Sequence, residues 1–358
     1  MVNDEKEILV RPKELGQLVR ALLEKAGLGT EDATLTADAI VQTNLWGIDS
    51  HGALRVPTYI ERLEAGAING AARPELIHGR GAIALLDGQD GIGFVVGHAA
   101  MSKSIELASQ HGVGVVGAIN SNHFGAAGLY ARLAADRGMI GLSMTNVGPN
   151  VVAPGGTRPV IGNNPLAIAV PTYGEPPFTL DISFSAVSGG KLLLASKKGE
   201  QIPFDWATDT DGVPTNDPDA GFAGFLLPMG GFKGLGLAYA IDILCGVITG
   251  GSFGTDLKGT YSKPLEASKT AHMMIAIDPE AFLSRRELKM RMAAFTAMVK
   301  SSPMREVGDE MLLPGEPEYR CALRRTGGIP LPVALYDELL TLANRLGADI
   351  SLRSRTGA

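Results

Sequence analysis

Two of the six histidines sit in company that could do chemistry. His51 lies in Asp49-Ser50-His51-Gly52-Ala53-Leu54-Arg55. An imidazole can give or take a proton near neutral pH. Arg55, four residues on, could hold a carboxylate in a bidentate pair. Ser50 could orient the ring or touch substrate. A Ser-His-Asp nucleophilic triad is not expected, because three adjacent residues rarely converge on one another. The plainer alternative is that Asp49 and Ser50 cap the following helix and leave His51 on the surface. Residue chemistry alone divides evenly between the two.

His123 lies in Asn120-Ser121-Asn122-His123-Phe124-Gly125. It follows an apolar run and precedes a helical pattern. That places it at the carboxyl end of a strand, where α/β proteins bind ligands. A structural histidine in a capped turn is the alternative. His78, His98, His111 and His272 lack such neighbours and read as structural or surface residues. Three further segments suit backbone contacts: Gly162-Asn163-Asn164-Pro165, Leu180-Asp181-Ile182-Ser183 and Pro228 to Gly236. The last opens a helix, and its amides with Lys233 could receive a phosphate. Each is also compatible with ordinary turn chemistry, and Lys233 with a solvated surface lysine.

A G-x-G-x-x-G pattern occurs at Gly112-Val113-Gly114-Val115-Val116-Gly117. That fingerprint requires a strand before the glycines and a helix after them. Here a helical pattern comes first and a strand pattern follows. The glycines are therefore expected to stop a helix and let a strand pack closely. No GxxxxGK[ST], HExxH, CxxC or GxSxG occurs, and no metal-ligand spacing is visible.

Helical spacing runs from Pro12 to Gly27, from an N-cap at Thr30 to about Trp46, and from Pro57 to Gly66. From Gly79 the character changes. Strands are expected at 83–86, 113–119, 140–144, 166–170, 178–182 and 273–277. Helices are expected at 95–110, 126–137 and 234–248. Helical spacing returns at 286–300, through Leu288, Met292, Phe295 and Met298, and at 333–346. The expected architecture is α/β: a sheet domain at 79–283, inserted between an N-terminal helical part (1–78) and a C-terminal one (284–358) that pack together.

The 358 residues are 45% hydrophobic and 20% charged, ordinary for a globular chain. A net charge of −6 argues against general nucleic-acid or anionic-membrane binding. The two cysteines, far apart, suit a reducing compartment. The polar N-terminal residues lack the form of a secretion signal, and the apolar stretch at 235–249 is short and interrupted by Asp242. A cytoplasmic protein is expected.

Taken together, the blocks DSHGALRVPTYIERLEAGAIN, NSNHFGAAGLYA, GNNPLAIAVP, the LDISFS…GGK stretch and LPMGGFKGLGLAYAIDILCGVITG resemble the malate/L-lactate dehydrogenase family of the second, non-Rossmann type. The resemblance covers nearly the whole chain. It implies a non-Rossmann cofactor-binding sheet domain, a helical companion domain and a homodimer. It implies NAD or NADP as hydride carrier, with NAD favoured, and a small carboxylate as substrate. Carried over by position, His51, Ser50 and His123 match the catalytic residues, with Arg55 and Asn163 at substrate. His123, Phe124, Gly125, Asp181, Ile182, Ser183, Lys233, Gly234, Gly315 and Glu316 match cofactor contacts. The chain departs from the family at Phe232, often His, at Leu235, often Tyr, and at Asp181-Ile182-Ser183-Phe184-Ser185, usually D-x-A-T-S. These changes leave substrate and cofactor preference open. The implied reaction moves hydride between nicotinamide and a 2-oxo or 2-hydroxy acid, with His51 or His123 moving the proton. A cyclic imino acid reductase on the same scaffold and a catalytically silent cofactor-binding protein are the alternatives.

Overall fold

The computed structural model describes residues 7–174, 176–260, 265–306 and 308–348. The polar stretch at 1–6, read above for a secretion signal, and the ends of the two helical parts lie outside the described residues. Strand β1 (Glu7–Val10) leads into helices α1 (Pro12–Lys25), α2 (Thr30–Leu45) and α3 (Val56–Glu64). Pro12 starts α1, and Leu15, Leu18, Val19, Leu22 and Leu23 form its buried face. Thr30 does not cap α2. Gly29 holds the cap position in extended backbone, and Thr30 is already the first helical residue, its carbonyl accepting from the Thr34 hydroxyl.

The sheet region contributes β2 (Glu75–Arg80), β3 (Ile83–Asp87), α4 (Gly93–His111), β4 (Val113–Ser121) and α5 (Gly128–Ala135). Then come β5 (Ile140–Thr145), β6 (Leu166–Val170), β7 (Phe178–Ile182) and α6 (Gly189–Lys198). A small excursion adds β8 (Ala207–Thr208), α7 (Pro218–Ala223) and β9 (Phe225–Leu226). Helix α8 (Phe232–Asp242) starts two residues earlier than its apolar pattern suggests and ends in a π turn at Ile243–Val247. Strand β10 (Thr270–Ile277) completes the sheet. Helices α9 (Arg285–Lys300) and α10 (Glu316–Arg325), strand β11 (Ile329–Pro332) and helix α11 (Val333–Leu346) follow.

Seven strands form one sheet in the order β2-β3-β4-β10-β5-β6-β7. Only β3 and β4 run parallel; every other neighbouring pair is antiparallel. Alternation along β4 sorts its side chains. Val116 and Ala118 join the core under α4 and α5, and Val115 and Ile119 join the core under α8. The glycine pattern sits where helix α4 ends and β4 begins. Gly112 is left-handed (φ +81) at the helix stop, and a Cβ on Gly114 would lie 2.0 Å from the Ser104 carbonyl of α4. The glycines thus serve a helix stop and a close helix–sheet contact.

A third core joins α1, α2, α3 and α11 around Leu18, Ile40, Ile60 and Leu339. β1 pairs with β11, Glu7 opposite Pro332 and Val10 opposite Ile329, so the start of the described chain meets the strand that leads into α11. Helix α9 behaves differently from α11. None of its residues is buried, and Phe295 and Met298 are exposed. Leu288 and Met292 of its apolar stripe are half-buried.

Candidate active site

The link between α2 and α3 consists of two short 3-10 turns, Asp49–His51 and Ala53–Arg55. Such turns have poor internal hydrogen bonding, so their position depends on outside partners. Buried Asn44, in the last turn of α2, supplies two. Its Oδ1 accepts from the Ala53 amide at 2.7 Å, and its Nδ2 donates to Asp49 Oδ1 at 2.6 Å. Gly52 makes room for it, since a Cβ there would lie 2.2 Å from Asn44 Oδ1. Arg325 of α10 forks onto Asp49, Nη1 to Oδ1 at 2.7 Å and Nη2 to Oδ2 at 2.9 Å. Asp49 and Ser50 therefore do not cap α3, which has no side-chain cap at all.

Ser50 Oγ lies 2.9 Å from His51 Nδ1, and Arg55 Nε donates to the Ser50 carbonyl at 2.6 Å. The serine, histidine and arginine are thus held as one unit. His51 stacks on His123, ring centroids 5.6 Å apart and planes 21° apart. His123 Nδ1 meets the Tyr59 hydroxyl at 2.7 Å, and Tyr59 packs edge-on against Phe94. Burial lowers the His51 pKa to about 4, helped by the Arg55 charge. Burial also holds His123 well below its ordinary value, with His51, Arg55, Arg62 and His272 adding to the effect. Both rings are neutral at pH 7. With each Nδ1 engaged, the Nε2 atoms are the ones left to meet a ligand.

The loop carrying His123 is anchored by Arg62, which is 1% exposed. Arg62 Nη2 donates to Asn122 Oδ1, to the Glu266 carbonyl and to Ser268 Oγ, each at 2.9 Å. Asn122 Nδ2 in turn donates to the carbonyls of Asp90 and Gly91. Tyr59, Arg62 and Arg325 were not among the site residues read from the sequence. Tyr59 was visible as part of the apolar face of α3, and its spacing four residues after Arg55 puts it on the Arg55 side of that helix. Nothing local pointed to Arg325.

A second cluster gathers the other expected residues. Asp181, on the last turn of sheet at β7, accepts from the Gly128 amide at the start of α5 (2.7 Å). Burial raises its pKa to about 6, the Gly128 amide opposing and Glu318 adding to the rise. Ile182 and Ser183 are half-buried beside it, and Ser183 Oγ lies 3.3 Å from Ser185 Oγ. The Asn163 carbonyl accepts from Phe184, and the Met229 amide donates to the Phe184 carbonyl. Asn163, β7 and the start of α8 therefore share one neighbourhood. Gly234 is buried there, and Lys233 is exposed with no partner among the described residues. The α8 N-terminus has no side-chain cap and begins at Gly231, with φ +63. Gly315 (φ +97) starts α10 against Pro177 and Thr179 of the β7 strand entry.

Two expected contacts have other duties. The Phe124 ring is 2% exposed, stacked between His272 and Tyr130, and its carbonyl accepts from Tyr130. Glu316 pairs with Lys300 and accepts from the Leu313 amide. Gly125 remains next to the site, its amide 3.4 Å from His123 Nδ1. Of the other histidines, His272 is fully buried with both ring nitrogens bonded, to Thr145 and Ser121, and burial lowers its pKa to about 3. His78 and His111 are exposed. A cavity of about 600 Å³ between α2 and the α4–α5 layer, lined by Leu35, Phe94, His98 and Leu133, does not include His51 or His123. Among the described residues no group of three or more His, Cys, Asp or Glu is placed to hold a metal, and no helix is long and apolar enough to cross a membrane.

A family model described as malate/L-lactate dehydrogenase matches residues 10–340. The chain belongs to that family. An L-sulfolactate dehydrogenase of Methanocaldococcus jannaschii is 39% identical over 96% of this chain and 98% of its own length. The structure of the sulfolactate dehydrogenase from that organism superposes with a TM-score of 0.90, covering 96% of this chain and 98% of the other. A malate dehydrogenase of Pyrococcus abyssi is 39% identical over 96% of each chain. A (2R)-3-sulfolactate dehydrogenase (NADP(+)) of Chromohalobacter salexigens is 36% identical over 94% of this chain and 98% of its own. As a malate/L-lactate dehydrogenase family member, the chain has the mixed α/β fold and central sheet of its solved relatives. The histidine pair stands just past the carboxyl end of β4, an inner strand of that sheet.

Proposed function

We propose that this chain is a nicotinamide-dependent dehydrogenase that interconverts a small 2-oxo carboxylate and its 2-hydroxy acid. The observation that carries the reading is the stack of His51 on His123, with Arg55 tied to the same turn. A carbonyl oxygen placed at the Nε2 atoms could exchange a proton with either ring. A carboxylate on the neighbouring carbon would meet the Arg55 charge. Malate and sulfolactate, the substrates in the relatives' names, each carry a second anionic group, and we extend that substrate class to this chain.

Bound NAD or NADP supplies the hydride. The residues present fit such a group: an uncapped α8 N-terminus, with exposed Lys233, suits a phosphate. Asn163, Asp181, Ile182 and Ser183 line the approach from β7. Phe124 and Glu316 enter this reading through their backbone only, since their side chains are engaged. In reduction, His51 in its protonated form would donate to the developing alkoxide. Because its ring is neutral when the site is empty, it would take up a proton from solvent as the anionic substrate binds, whose charge favours the imidazolium. Tyr59 and Ser50 hold the two rings in place, and the stacked rings with Tyr59 and Phe94 limit water.

The same reading includes a cofactor domain outside the Rossmann pattern at 79–283, with 1–78 and 284–358 as its helical companion. It also includes a homodimer, supported by the exposed Phe295 and Met298 of α9. The test is an absorbance assay of NADH and NADPH oxidation against malate-, lactate- and sulfolactate-derived 2-oxo acids and a cyclic imine. Turnover on a dicarboxylic or sulfonated 2-oxo acid is expected. Turnover confined to the imine, or to no compound with either cofactor, would overturn the proposal.

A further inference from the structure

We propose that Arg325 is a positioning residue for the acid/base turn, acting through Asp49 to set the orientation of Ser50, His51 and Arg55. The inference rests on the reading of His51 as an acid/base group. The turn it serves has little structure of its own, being two three-residue 3-10 turns. Arg325 reaches it from 276 residues away in sequence. Its guanidinium makes three contacts there: both Asp49 oxygens and the Asn44 carbonyl at 2.5 Å. A planar fork on a carboxylate fixes the plane of that carboxylate, which a single charge contact does not.

The fixed Asp49 carries the constraint onward. Its Oδ1 also takes the Asn44 amide, and the other end of that amide holds Ala53. The turn is therefore pinned on both sides of His51. Arg325 is itself presented from a secured helix. The opposite end of α10 is fastened to β7, where the Thr179 amide donates to the Pro314 carbonyl at 2.9 Å. The arrangement differs from an ordinary surface ion pair. The Arg325 side chain is 17% exposed and that of Asp49 46%, but the guanidinium engages both carboxylate oxygens, and Asp49 lies two residues from the reacting ring.

The test compares Arg325→Met and Arg325→Lys with the native protein. In Arg325→Met, kcat is expected to fall roughly tenfold or more, because small displacements of a reacting group are costly to rate. Cofactor affinity should stay the same. Arg325→Lys, which keeps the charge and loses the fork, should lie between the two. A second readout does not depend on turnover. The His51 ring, identified by its loss in His51→Gln, is followed by NMR as pH is lowered. Its midpoint is expected to move up from about 4 in Arg325→Met, as the loosened turn admits water next to the ring. The titratable groups facing that ring are Arg55 on its own turn and His123 from the loop after β4. If the native protein transfers no hydride, the function above fails, while the NMR midpoint still judges the positioning. A folded Arg325→Met with native kcat or an unmoved His51 midpoint would overturn the inference. Should the Met variant not fold, a Lys variant indistinguishable from native in both readouts would do the same.

Discussion

His51 and His123 come from different layers of the fold and meet as near-parallel rings, centroids 5.6 Å apart. One is set by the turn after α2 and the other by the loop after β4. Their Nδ1 atoms are engaged by Ser50 and Tyr59, so the division of labour between them becomes an experimental question about two Nε2 atoms. We expect His51→Gln to reduce kcat by about 10²–10⁴-fold, the usual range for losing a general acid or base. Cofactor binding, read by fluorescence titration, should survive. A deeper loss in His123→Gln than in His51→Gln would exchange the two roles.

Tyr59→Phe removes the hydroxyl that meets His123 Nδ1 and keeps the ring packed on Phe94. A lost partner at a buried polar atom costs about 1–3 kcal/mol. The expected result is a folded protein with lower kcat and a shifted pH profile of kcat. Native kcat and an unchanged profile would remove Tyr59 from the site.

Acid should destabilise the fold before it reaches the usual carboxylate range. Burial lowers His51 to about 4 and His272 to about 3, and holds His123 well down. The folded chain therefore keeps these rings neutral while the unfolded chain protonates near 6.5. Their contribution is complete above that pH and is lost as pH falls through 6.5 toward the folded values. For His51 alone the linkage approaches roughly 3 kcal/mol at its limit. Asp181, raised to about 6, works in the opposite direction between 3.8 and 6 and offsets part of the loss. Urea midpoints at pH 7.5 and pH 5 check the net sign, which should be a fall. His272→Gln should flatten that fall, and equal slopes would contradict the assignment.

In the stripe Leu288, Met292, Phe295 and Met298 on α9, the first two residues are half-buried and the last two are exposed. Exposed apolar surface of this kind marks an association site. Phe295→Asp is expected to convert a dimer into monomers in sedimentation, with little change in the melting of each monomer. A native protein that sediments as a monomer at micromolar concentration would remove the dimer from the account.

Much of this fold could be read along the chain, where burial imposes a period. β6 and β7 appear at their expected bounds, and α11 does as well. What escaped was made by distant partners. β1 and β11 are four-residue strands that exist because they pair with each other, Glu7 opposite Pro332. β2 is exposed along its whole length, so it shows no alternation. α10 buries no residue and is largely charged, which hides it from any search for an apolar stripe. That is why Arg325 could not be seen beside His51. The capping alternative at His51 also fails through distant partners: Asp49 turns to Arg325 and Asn44, and α3 has no side-chain cap.

The central claim is hydride transfer to a small 2-oxo acid at the histidine pair. Its most direct test uses nicotinamide cofactor deuterated at the transferable position of C4, with a dicarboxylic or sulfonated 2-oxo acid and mass detection of the product. We expect one deuterium at carbon 2 of the 2-hydroxy acid with the native protein, and product formation depressed by His51→Gln. Oxidised cofactor without deuterium in the product, or no product from either cofactor, would contradict the account.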